Sequence, residues 1–122
     1  ALLCDKLQQV LKMSVRDSRL LFMPPVGSLE EFEDAKAAVP DLKIVELTAN
    51  EPRSDLCTTI RQAGIKVQQD VMKIGDIQAV LLDSNEGWQA FIDAGVWLLQ
   101  TDEPALLVPA VAELRRTGVF PD

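Results

Sequence analysis

A chain of 122 residues has room for one ordinary domain, since domains cluster near roughly 100 to 150 residues. Its 48% apolar and 25% charged residues can build a buried core, which excludes collagen, coiled coil, disulfide scaffold and compositional disorder. The 12 basic and 19 acidic residues, net -7, repel a nucleic-acid backbone or an anionic membrane surface, and the absence of histidine removes every imidazole base and His-ligated metal site from this chain's chemistry.

No apolar run reaches the roughly 18 residues needed to span a bilayer, and the first residues lack the basic start and apolar core of a secretory leader. Cys4 and Cys57 stand 53 positions apart. That spacing matches no close-set metal motif, and the pair reads as two inert thiols in preference to a disulfide.

From Ala1 to about Val15, Leu3, Leu7, Val10 and Leu11 recur at helical spacing, which predicts an opening helix. Leu20 to Met23 is a short apolar run closed by Pro24 and Pro25, expected as a strand ending in a loop. Ser28 with Glu31 three residues on is a capping box for a helix running to about Ala38, before Pro40. Leu42 to Thr48 reads as the second strand, followed by a turn in which Ser54 is a possible N-cap. Leu56 to Ala63 reads as a helix with Gly64 as its C-cap. Ile65 to Met72 is the third strand. A longer stretch, Lys73 to Ser84, leads to a helix from Glu86 to Ala94 that Gly95 ends. Val96 to Gln100 is the fourth strand, Pro104 suits a first helical position, and Pro109 is expected to kink or restart the last helix.

Strand starts near 20, 42, 65 and 96 leave connections too long for hairpins, so the sheet should be parallel with right-handed crossovers. Eight such units would make about 200 residues, the lower end for a (β/α)8 barrel. Residues 1–122 hold four units and a leading helix, as one domain. Half of a TIM barrel and an open four-stranded sheet complete as it stands both fit this periodicity.

Strands covered on both faces should be continuously apolar, so the polar residues within these are informative. The period of two puts Glu46 on one face with Ile44 and Thr48, Gln68 with Asp70, and Gln100 with Asp102. Carboxylates and amides at carboxyl ends of parallel strands are where barrels and open α/β sheets bind ligands. With no imidazole available, an acidic mouth suits a hard divalent cation, Mg2+ or Ca2+, held by oxygen. Structural roles compete with this reading: Glu46 pairing with Lys43, Lys66 or an arginine, and Asp70 and Asp102 capping the amides that follow them. The glycines form no phosphate-binding motif and the serines no nucleophile elbow. Trp88 and Phe91 read as core, and Glu30, Glu31, Glu33 and Asp34 as the solvated start of a helix.

The segment Gly87 to Leu107 strings together a helix, Gly95-Val96, a short strand, Thr101-Asp102 and Pro104 before a last helix. It resembles the closing unit of the glycerophosphodiester phosphodiesterase family. Gly64-Ile65-Lys66-Val67-Gln68-Gln69-Asp70 is similar to that family's seventh strand, with Gln68 and Asp70 where the family carries tryptophan and asparagine. The segments around Phe22-Met23-Pro24 and Val45-Glu46-Leu47 resemble the fifth and sixth strands in pattern.

The resemblance covers nearly the whole chain but only the carboxyl-terminal half of the family's barrel. It implies a parent enzyme that hydrolyses small phosphodiesters with a divalent cation, Mg2+ or Ca2+. The family's His-Arg-Gly start, its Glu-x-Asp metal pair and its second histidine are absent here, so no catalytic residue is assigned to this chain. Its share would be scaffold and substrate contacts from Glu46, Gln68, Asp70, Gln100, Thr101 and Asp102. The missing amino-terminal half, or a second copy forming a dimer, would cover the edges of a half barrel. The alternatives are a complete small α/β module that binds a ligand or partner without catalysis, and an enzyme of another barrel family.

Overall fold

The computed structural model describes Asp5, Gln9 and residues 21–116. Asp5 and Gln9 are helical and exposed, as the opening helix requires of its polar side, while its apolar residues, Leu20 and Cys4 lie outside the described residues.

The described chain is an α/β unit in which four parallel strands alternate with helices: β1 (Pro25–Val26), α1 (Leu29–Ala38), β2 (Ile44–Leu47), α2 (Ser54–Gln62), β3 (Lys66–Asp70), α3 (Ile77–Leu82), α4 (Glu86–Ala94), β4 (Leu98–Gln100) and α5 (Pro104–Arg116). One turn of π-helix, Met72–Asp76, joins β3 to α3. The strands lie in chain order, β1-β2-β3-β4, all parallel. A right-handed crossover that always advances to the next strand places successive helices on the same face of the sheet.

That face is the core. Val45, Leu47 and Val67 of the strands pack with Phe32, Leu56, Cys57, Ile60, Trp88, Phe91 and Leu107 of the helices. Trp88 and Phe91 are fully buried there, as expected of them. At roughly 2 kcal/mol for each large side chain taken out of water, this one-sided cluster is the principal adhesive of the fold. Burial also pushes the Cys57 thiol up, from 9.0 to about 11, because the thiolate would be stranded in apolar surroundings.

Local signals account for most element ends. Ser28 Oγ accepts the Glu31 amide at 3.2 Å, while Glu31 Oε2 reaches back one residue farther than a standard capping box, to the Gly27 N–H at 3.3 Å. Gly95 ends α4 in the left-handed region, φ 105°, where a Cβ is penalised.

Several elements differ from the sequence reading, three of them with a clear cause. The first strand is Pro25–Val26, not the apolar run before it, and Leu21 is exposed. Proline is tolerated because the carbonyls of Pro24 and Val26 accept from the Glu46 and Thr48 amides at 3.0 Å each, a task that needs no N–H. Ser54 is the first residue of α2 and makes no side-chain cap. Pro109 lies inside α5, which runs through it without a break.

Candidate functional site

Register places the polar strand residues in rows. Glu46 of β2 stands beside Gln68 of β3, which stands beside Leu98 of β4, and Asp70 is opposite Gln100. By the two-residue period these side chains occupy the face opposite the helix-packed core. Ile44, on the same face, is buried but outside that core.

Gln68 is the centre of this row. It is 3% exposed, its Nε2 donates to Gln100 Oε1 at 2.8 Å, and its own Oε1 is buried with no partner among the described residues. Glu46 is half-buried and forms no side-chain hydrogen bond or ion pair among the described residues, so the competing structural role, pairing with Lys43, Lys66 or an arginine, is not seen among those residues. Lys66 instead sits over the Trp97 ring, 4.4 Å from its centroid. Asp70 behaves as a cap, its Oδ1 accepting the Met72 amide at 2.8 Å.

Thr101 and Asp102 belong to a separate group. The Thr101 hydroxyl and the Asp102 amide donate to Asp76 at 2.7 and 2.8 Å, and Thr101 Oγ1 accepts the Glu103 amide at 2.9 Å. The Thr101 side chain is thereby committed to holding the turn into α5. The Asp102 carboxylate is exposed and accepts no amide of α5 among the described residues, while the Leu106 and Leu107 amides bond the Glu103 carbonyl.

Asp76, absent from the residues singled out by sequence, is the hub of this group. It is 5% exposed and also accepts the Trp88 indole N–H at 2.9 Å. A carboxylate with four lone-pair sites satisfies three donors here, one from α4 and two from the turn after β4. The sequence signal is faint: an aspartate between Gly75 and Ile77 in an otherwise apolar stretch. Gln69 was missed as well. It is fully buried on the core side, and its Nε2 bonds the Ala49 and Glu51 carbonyls at 2.9 and 2.8 Å, fixing the loop between β2 and α2.

The expected oxygen cage for a hard cation does not assemble from these residues. Among the described residues no three of Asp, Glu and Cys converge in a way that holds a metal ion. Apolar surface lies elsewhere, in a groove of about 480 Å³ lined by Ile92, Trp97, Leu99, Leu107, Val108 and Val111 at the β4 edge. No helix among the described residues is long and apolar enough to cross a membrane.

Comparison with protein-family models, with curated proteins and with solved structures finds no match.

Proposed function

We propose that this chain is the carboxyl-terminal half of a (β/α)8 barrel of glycerophosphodiester phosphodiesterase type, inactive alone and completed by an amino-terminal half or a second copy. The observation that carries the reading is the strand order. Four parallel strands succeed one another without reversal, as consecutive barrel units do and as the doubly wound sheets with a switch point do not. The open β4 edge supports it too: Trp97 is 60% exposed, Leu98 47%, and the apolar groove lies where the next β/α unit of a barrel would dock.

In the complete barrel a divalent cation, Mg2+ or Ca2+, would neutralise the phosphate of a small phosphodiester while acid and base groups serve the attacking and leaving oxygens. The residues described here do not form that metal site, and no histidine is present to move a proton. This half contributes the polar row Glu46, Gln68 and Gln100 and the framework that holds it.

A second reading, a complete α/β binding module, draws support from β1, an edge strand that begins at Pro25 directly after Pro24, prolines that blunt it against further pairing. Native mass spectrometry separates the two. A dimer, or a complex with a polypeptide of similar size, is expected for the barrel, with divalent-dependent glycerophosphodiester hydrolysis in the complex that includes the amino-terminal half. A lone, well-folded 13.4 kDa monomer overturns the barrel and leaves the module.

A further inference from the structure

We infer that the row formed by Glu46, Gln68 and Gln100 is a binding site for a small primary ammonium ion. The inference stands on the sheet face itself and holds whether or not a barrel is completed around it.

The argument starts from Gln68. A neutral amide placed at 3% exposure keeps a stable environment only when both its ends are bonded. The nitrogen end is served by Gln100 at 2.8 Å. The oxygen end has no partner among the described residues, which costs more than the bond at the other end returns. The register partner on one side is the Glu46 carboxylate, itself without a side-chain partner among the described residues. One pair farther along the same face, Asp70 has only one oxygen engaged, by the Met72 amide.

The two groups of this row that are at least half-buried and lack any side-chain partner among the described residues, the Gln68 Oε1 and the Glu46 carboxylate, are both acceptors, and one of them is an anion. The complementary ligand carries several N–H donors and a positive charge. A divalent metal is a poor match, since no three carboxylates converge. An ammonium group with three donors suits an amide oxygen and a carboxylate on adjacent strands, and its bonds to them are charge-assisted. Gln100 is exposed and holds Gln68 by one neutral hydrogen bond at its nitrogen end, so the Gln68 amide can turn toward the ligand at the loss of that single bond.

The test is a titration of the 15N-labelled chain with methylammonium, followed by the side-chain amide resonances of Gln68 and Gln100. Tetramethylammonium, which has the charge and no N–H, and methanol, which has a donor and no charge, are run beside it. Saturable shifts with methylammonium alone are expected. Glu46→Gln, nearly isosteric and only half-buried, should weaken binding roughly tenfold, the loss of one charge-assisted bond, with the rest of the spectrum unchanged. Gln68→Leu should abolish it, and its backbone spectrum reports whether the fold is kept.

Equal responses to methylammonium and tetramethylammonium would reduce the effect to charge screening and overturn the inference, as would an affinity unchanged in Glu46→Gln. No response up to about 50 mM, an affinity too weak to be specific, also overturns it and means that the Gln68 amide lies end for end, with its nitrogen on Glu46. None of these outcomes alters the mass-spectrometric result that decides the barrel.

Discussion

The carboxylate of Asp76 accepts the indole N–H of Trp88 at 2.9 Å inside the protein, twelve residues away along the chain. The same carboxylate holds Thr101 and the Asp102 amide, so one buried anion ties the π-turn after β3, helix α4 and the turn after β4 into a single unit. Asp76→Ala would leave three donors facing a void. A loss of about 3 kcal/mol or more in denaturant unfolding is expected, since each buried donor left without an acceptor costs about 1 to 3 kcal/mol. Asp76→Asn should cost less, because one end of the amide still accepts. A loss under about 0.5 kcal/mol for Asp76→Ala, the level of an ordinary surface change, would show that the hub does not hold the fold.

Gly75 is a test of close packing. A Cβ there would come within 2.1 Å of Trp88 Cδ1, so Gly75→Ala must displace the indole or the π-turn. Overpacking of this kind costs about 1 to 3 kcal/mol. Near-ultraviolet circular dichroism should report the displaced Trp88, and an unchanged spectrum with full stability would mean that the turn yields instead.

Asp83 closes α3 with φ 49°, the one left-handed non-glycine among the described residues. Aspartate tolerates that region better than most residues but still less well than glycine. Asp83→Gly is expected to raise stability by up to about 1 kcal/mol, measured as a higher urea midpoint at constant slope.

Cys57 makes stability depend on alkaline pH. Its folded thiol ionises near 11 against 9.0 for the exposed group. Below pH 9 both states are protonated and burial of the thiol is fully tolerated. As pH rises from 9 toward 11 only the unfolded chain releases the proton, so stability falls across that window. Thermal unfolding in the wild-type chain should show this slope, Cys57→Ala should lack it, and iodoacetamide should modify Cys57 slowly until the chain unfolds.

On the proposed assembly, Leu98→Lys places a charge on the open β4 edge. Folding should change by no more than about 0.5 kcal/mol, while native mass spectra should move from complex to monomer. Spectra that keep the complex would direct attention to another surface.

Much of the fold was legible because its signals are local. Ser28 with Glu31 marked α1, Glu86 to Ala94 with Gly95 bounded α4, and the alternation in Lys66 to Asp70 assigned Gln68 to one face. What escaped depends on contacts made only after folding. Nothing near Asp76 in sequence announces Trp88 or Thr101, which are 12 and 25 residues away. The stretch after β3 carries no helical signature in the sequence, because a π-turn breaks the 3.6-residue period on which helix recognition relies. In sequence the strand ends look like one polar mouth, whereas folding divides it: Thr101 is turned toward Asp76, and Glu46, Gln68 and Gln100 share the opposite face.

Strand order that follows chain order also bears on how the molecule is made. Each β/α unit lies against the unit synthesised just before it, so most contacts join residues near in sequence, and chains of low contact order fold quickly. A growing chain can then consolidate one unit at a time as it leaves the ribosome, without waiting for a distant strand to arrive. The exception is the Asp76 hub, whose last donors belong to residues 101 and 102. The third unit therefore stays loosely fastened until the fourth has been made, and that docking step is where protection from amide exchange at Trp88 should appear last.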